Sequence, residues 1–174
     1  MKAFFSMAFG AVVLTGCATT HSLPPTELHY GDDYLPPIHV MTDAPLNGGE
    51  IRNSLRATGM FSDVISGQPP VGGYGVRVNF TQARDLPSFP VIMASALTLF
   101  LLPVGDGIDS RLGFTLTQDG KTLKRYDYRN KTQRYSWLLD RHNEAKQENL
   151  DRITRAFARD VQQDGLMQPP VIKP

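Results

Sequence analysis

Two runs of alternating apolar and small or polar residues, joined by a tight turn, place the strongest constraint on this fold. Leu112, Phe114 and Leu116 alternate in the first run, and the turn residues Gln118-Asp119-Gly120-Lys121 follow it. Asp-Gly is a dipeptide that favours a two-residue β-hairpin turn. In the return run, residues 123, 125 and 127 share one face and residues 124, 126 and 128 the other. The pattern predicts an antiparallel hairpin but leaves open which face is buried.

Further strands are predicted on both sides of this hairpin. Residues 74–80 alternate in the same way, with Tyr74, Val76, Val78 and Phe80 on one face, which is the period-two pattern of a half-buried strand. Residues 38–41 and 61–66 are short strand candidates. Residues 135–139 continue a period-two pattern after a polar break at Asn130.

Two helices complete the predicted domain. Asn47 is a candidate N-cap for a helix over residues 48–58, and Gly59 follows its end. Asn143 is the candidate N-cap of a second helix, with a body over 146–163 and Gly165 after it. In that helix, apolar residues three and four positions apart form one stripe: Leu150, Ile153, Phe157 and Val161. We therefore expect an α+β fold with a mainly antiparallel sheet of four to six strands and two helices on one face.

The first seventeen residues have the pattern of an export signal. Lys2 is followed by a stretch from Ala3 to Leu14 that is apolar apart from Ser6 and Gly10. This stretch is too short to span a bilayer and has the length of a signal-peptide core. It ends in Leu14-Thr15-Gly16-Cys17, which contains the single cysteine of the chain.

The sequence Leu14-Thr15-Gly16-Cys17 resembles the lipobox of bacterial lipoproteins. The resemblance implies a thioether between the Cys17 thiol and a diacylglyceryl group, cleavage between Gly16 and Cys17, and acylation of the new amino group with a fatty acid such as palmitate. Two or more acyl chains hold a protein stably at a membrane. In the sorting pattern of enteric Gram-negative lipoproteins, Asp after the lipidated cysteine retains the protein at the inner membrane. Ala18 therefore favours the outer membrane, on its periplasmic side.

These features divide the chain into four parts. Residues 1–16 are a signal peptide, and residues 17–37, rich in Thr, Ser, Pro and Gly, are interpreted as a lipidated N-terminus and flexible tether. Residues 38–165 are a single α+β domain, and residues 166–174 are an irregular tail. Lipidation of Cys17 leaves no thiol for a disulfide, so packing must stabilise the domain. The formal net charge is +1, which gives no support for nucleic-acid binding.

One apolar segment requires an explanation. Residues 91–102 are apolar except for Ser95 and Thr98, and Pro90 and Pro103 bracket them. The segment is a buried core element, an element that dips into the membrane beside the lipid anchor, or a partner-binding surface. For the last two interpretations, the candidate contact residues are Val91, Ile92, Leu97, Leu99, Phe100 and Leu101.

No residues form a recognisable catalytic or metal-binding motif. Asp140, His142 and Glu144 are the densest polar group, but acidic residues at a helix start are also favoured by the helix dipole. Asp32 and Asp33, like Asp106 and Asp109, are interpreted as solvated residues of turns or loops. His39 is interpreted as a structural histidine, and Gly72-Gly73-Tyr74-Gly75 as a bend before a strand. We predict no catalytic residue, no metal and no cofactor.

The expected function follows from the predicted location at the membrane and from the lack of a recognisable catalytic motif in the sequence. We expect a non-enzymatic lipoprotein that faces the periplasm and acts as an accessory or assembly component of an envelope complex. Its predicted partners are the membrane, through the acyl chains on Cys17, and an envelope protein. The alternatives are a lipid-binding or membrane-inserting module that uses Val91–Leu102, and an envelope enzyme with an unrecognised site.

Overall fold

The computed structural model describes residues 19–31, 34–43, 45–98, 104–136 and 143–168. These residues form six strands and three helices. In chain order the elements are β1 (Thr19–His21), β2 (Ile38–Thr42), α1 (Pro45–Ala57), β3 (Val64–Ser66), β4 (Tyr74–Asp85), α2 (Phe89–Leu97), β5 (Val104–Gln118), β6 (Lys121–Ser136) and α3 (Asn143–Asp164).

The six strands form one sheet in the order β1-β6-β5-β4-β2-β3. The strand number and the α+β class agree with the prediction. The sheet is mixed, however, because β2 pairs in parallel with both β3 and β4, while the pairs β4–β5, β5–β6 and β1–β6 are antiparallel. The parallel β2–β3 pair arises from the β2-α1-β3 unit, since a helical crossover brings the next strand back in the same direction.

The predicted hairpin is present as β5 and β6. Asp119 and Gly120 have φ values of 50° and 77°, which are the left-handed values that a type I′ turn requires. The structure also decides which face is buried, since Tyr126 is 7% exposed and Leu123 is 39% exposed. β6 does not break at Asn130, which is fully buried inside the strand.

The core lies between the sheet and the helices α1 and α3. Ile51 and Leu55 of α1 and the predicted stripe of α3 belong to one cluster with the inner residues of the central strands. The rings of Phe114 and Phe157 stack with their centroids 4.3 Å apart. α1 begins at Pro45, two residues before the predicted cap, and proline is favoured in a first helical turn. α2 is a third helix, where two were expected.

The N-terminal segment differs from the tether expected over residues 17–37. From Thr19 the chain is part of the sheet, and Leu23, Leu28 and Leu35 pack against the core. The C-terminal tail also contributes to the core, through Met167. Both segments have a composition typical of loops. The free energy gained by burying their apolar side chains nevertheless holds them against the domain.

Candidate functional site

α2 carries the most unusual surface in the described part of the chain. Ser88 occupies its N-cap with extended backbone angles, and Pro90 lies in its first turn, where a proline needs no hydrogen-bond acceptor. At the other end, the hydroxyl of Thr98 donates a hydrogen bond to the carbonyl oxygen of Ser95 at 2.9 Å. Nine residues at about 1.5 Å each make a helix about 14 Å long.

The apolar side chains of α2 face outward. Phe89 is 73% exposed and Leu97 is 82% exposed, while Val91 and Met93 are nearly half exposed. Leu86, just before the helix, is 71% exposed, and Ser95 is the buried residue of α2. The core interpretation of residues 91–102 is therefore wrong for residues 91–98. The predicted contact residues Val91, Ile92 and Leu97 lie on α2, whereas Leu99, Phe100 and Leu101 lie outside the described residues.

α2 is too short to cross a bilayer. Across the described ranges, no helix combines the length and hydropathy of a membrane span.

β1 places the residues that follow the lipobox at the same end of the sheet as α2. Thr19 of β1 lies opposite Arg134 of β6, and Arg134 lies opposite Asp106 of β5. The next residue of β5, Gly107, lies opposite Asp85, the last residue of β4 before α2. The chain therefore enters the domain at the sheet end that carries the exposed apolar helix.

Side chains as well as backbone hold β1 in place. One ring nitrogen of His21 lies 2.9 Å from the hydroxyl of Thr132, and the other lies 2.8 Å from a carboxylate oxygen of Glu148. The Leu23 amide donates to the side-chain oxygen of Asn130 at 2.9 Å, and Arg152 donates to the Leu23 carbonyl oxygen at 3.3 Å. The N-terminal strand is thus joined to both β6 and α3.

A buried polar cluster continues this attachment into the domain. Asn149 of α3 is fully buried, and its side-chain oxygen accepts hydrogen bonds from the Asn130 amide at 2.6 Å and from the Thr132 hydroxyl. Its amide donates to the Ser110 hydroxyl at 3.3 Å. Buried polar groups that satisfy one another in this way fix a unique packing.

The outward face of β4, β5 and β6 is charged. Arg129 forms a two-oxygen ion pair with Asp109, and this pairing lowers the pKa of Asp109. Arg84 pairs in the same way with Asp106, although these two residues lie on the helix-facing side of the sheet and not on the outward face. Both aspartates thus lie within β5, where loop positions were predicted, and their partners are arginines. A shallow depression of about 380 Å³ surrounds Gly113 on this face, with Arg111, Arg125 and Arg129 at its border.

Of the remaining polar candidates, the structure describes the side chain of His39. His39 lies on β2 as predicted, and its Nδ1 atom is buried without a hydrogen-bond partner there. Asp32, Asp33, Asp140, His142 and the Glu144 side chain lie outside the described residues. Within the described ranges, no three His, Cys, Asp or Glu side chains are grouped as a metal site would require.

Cys17 and Gly16 also lie outside the described residues. The sequence found them by motif, and the structure adds the position of Thr19, two residues later. Sequence reasoning missed the cluster around Asn149, because period and composition do not show which polar residues of distant elements meet.

No protein-family model and no curated protein matches this sequence. Among solved structures, the chain is similar to a minor lipoprotein from Acinetobacter baumannii, with 12% identity over 76% of this chain and 97% of that one and a TM-score of 0.46. It is similar to the rare lipoprotein B from Shewanella oneidensis, with 14% identity over 75% of this chain and 92% of that one and a TM-score of 0.36.

A third similar structure is the PelC dodecamer from Paraburkholderia phytofirmans, with 12% identity over 82% of this chain and 97% of that one and a TM-score of 0.34. Two of the three are described as lipoproteins. These identities and TM-scores are too low to support an argument about function, so the proposal below depends on the residues of this chain.

Proposed function

We propose that this chain is a lipoprotein anchored by acyl chains on Cys17 to the periplasmic side of the outer membrane. In this proposal it acts there as a non-enzymatic accessory or assembly component of an envelope complex. The observation that supports this most is the lipobox at residues 14–17, followed at once by a strand that belongs to the folded domain.

The short distance between lipid and domain has a structural consequence. Cys17 precedes Thr19 by two residues, and an extended chain covers at most about 3.6 Å per residue. The Cα atom of the residue that carries the acyl chains is therefore within about 7 Å of the first residue of β1. A lipoprotein built in this way holds its domain against the membrane surface, whereas a long tether would let the domain reach away from it.

The charged outward face supports an accessory role. Its arginines and aspartates lie on strands of the central sheet, which hold them in fixed positions, and such a face favours a charged protein partner. An enzyme would need convergent acid and base groups in a pocket. Tyr126, which is buried, and Tyr128, which is partly buried, do not supply a base, because burial and the nearby carboxylates of Asp164 and Asp160 raise the pKa of both tyrosines.

The first test is mass spectrometry of the protein purified from membranes of the cells that make it. We expect a mature chain that starts at Cys17 and carries a diacylglyceryl group and an amide-linked acyl chain. A Cys17→Ser variant should lose these groups and leave the membrane-anchored fraction. An intact leader, or an unmodified thiol at the mature N-terminus, would contradict the proposal.

The second test concerns the membrane in which the protein resides. An Ala18→Asp variant should move from the outer-membrane to the inner-membrane fraction on a density gradient, and Ala18→Ser should not. Crosslinking in cells, followed by identification of the captured protein, then tests the accessory role. Capture of no envelope protein would contradict that part of the proposal.

A further inference from the structure

We propose that α2 enters the same lipid bilayer that holds the acyl chains of Cys17, so that the domain contacts the membrane at two points. This inference rests on the lipid anchor proposed above. The apolar surface of α2 then contacts the interfacial and outer acyl region of a phospholipid membrane.

The composition of the α2 region suits a lipid environment. From Leu86 to Pro103 the sequence contains no charged residue. In its described part, five exposed side chains are large and apolar: Leu86, Phe89, Val91, Met93 and Leu97. A soluble domain that left such a patch in water would pay the free-energy cost of hydrating it, so contiguous exposed apolar side chains mark a contact site.

The position of α2 selects the bilayer as its occupant. Thr19 and the end of β4 lie at the same level of the sheet, separated by the strands β6 and β5. Neighbouring strands are about 4.8 Å apart, so three strand spacings place β1 about 14 Å from β4. Acyl chains attached two residues before Thr19 therefore bring this end of the sheet to the membrane surface, and α2 with it.

The length of α2 sets the mode of contact. A helix of about 14 Å cannot span a hydrocarbon core of about 30 Å, but a short apolar helix can lie in the interface with its side chains in the acyl region. Insertion then fixes the orientation of the domain: the loop between β3 and β4, which contains Val71, faces away from the membrane. β4 separates that loop from α2 by 12 residues, or about 36 Å.

Spin-label depth measurements on the full lipidated protein test this inference. Since lipidation consumes the one native thiol, a cysteine introduced at position 97 or 71 carries the label by itself. Leu97→Cys probes α2, and Val71→Cys is the matched control, because Val71 is fully exposed at the opposite end of β4. Both variants replace an exposed side chain, so both are expected to fold. The protein is reconstituted into vesicles of phosphatidylethanolamine and phosphatidylglycerol.

We expect the label at position 97 to collide mainly with oxygen, which concentrates in the acyl region, and the label at 71 to collide mainly with a water-soluble nickel chelate. The oxygen-to-nickel collision ratio should be several-fold higher at 97. Equal ratios would overturn the inference and leave the lipid anchor intact. A label at 97 shielded from both reagents would show contact with protein, such as a second copy, and would also overturn it. Uptake of label by Cys17 in the unsubstituted protein would refute the anchor itself, and this inference with it.

Discussion

Asn149→Ala is the substitution that tests most directly how the N-terminal strand is held. Asn149 is fully buried on α3 and joins Asn130 and Thr132 of β6 to Ser110 of β5. The same two β6 residues hold β1 and the segment after it, through His21 and the Leu23 amide. Asn149→Ala removes the side-chain oxygen that accepts both hydrogen bonds from β6. The Asn130 amide and the Thr132 hydroxyl then lose this acceptor.

The magnitude follows from these buried donors. A net hydrogen bond contributes about 1 kcal/mol, and a buried donor left without an acceptor costs about 1–3 kcal/mol. Two such donors predict a loss of about 2–6 kcal/mol in the free energy of unfolding. β1 should loosen before the rest of the domain unfolds, because its anchoring residues lose their fixed geometry while the aromatic core is unchanged.

Urea unfolding gives the free energy of unfolding. Hydrogen exchange of the Leu23 amide, and of the Ser22 amide, which donates to the Lys131 carbonyl oxygen at 2.9 Å, reports on the attachment of β1. Arg155→Ala is the matched control, since Arg155 is an exposed residue of the same helix, and it should change stability by less than about 0.5 kcal/mol. If Asn149→Ala destabilised the protein no more than this control, or if exchange at Leu23 did not increase, the reasoning would be refuted.

Two further predictions concern the core and the dependence of stability on pH. Phe157→Ala should lower the free energy of unfolding by about 3–5 kcal/mol, because the fully buried ring stacks on Phe114. Leu123→Ala, on the exposed face of β6, should lower it by under about 1 kcal/mol, and equal losses in urea unfolding would contradict this account of the core. Asp164 accepts hydrogen bonds from Lys124 and Tyr126, which lower its pKa, so its contribution is complete at neutral pH and is lost as the pH falls below about 4. Asp164→Asn should therefore lower the urea midpoint more at pH 7 than at about pH 3, and an equal difference at both pH values would disprove this assignment.

The helical and two-residue periods of apolar residues predicted the helices and strands well where one face of the element is buried and the other is in water. The Asp119-Gly120 hairpin and the Leu150–Val161 stripe are confirmed, because tight turns and amphipathic faces are local properties of the chain. For residues 91–98 the sequence left three interpretations open, and the exposure of α2 contradicts only the core interpretation. A segment that is apolar on every side has no periodic signal, so its burial depends on whether other elements cover it.

Predictions for polar residues were wrong at three positions. Asn130 was predicted to break a strand, but it lies inside β6 because Asn149 supplies its buried hydrogen-bond partner. Asp106 and Asp109 were predicted in a loop, but arginines of neighbouring strands neutralise them on β5. In each case the partner is distant in sequence, so composition near the residue could not reveal it.

By itself, the sequence determined the predicted lipidation motif, the hairpin and the main helix, since each depends on residues that are neighbours along the chain. The tertiary structure decided the mixed order of the sheet, the attachment of β1 and the exposure of α2. These three depend on which elements pack together, because the free energy of burial is shared among residues far apart in sequence. This packing is also what places an exposed apolar helix at the same sheet end as the residues that follow Cys17.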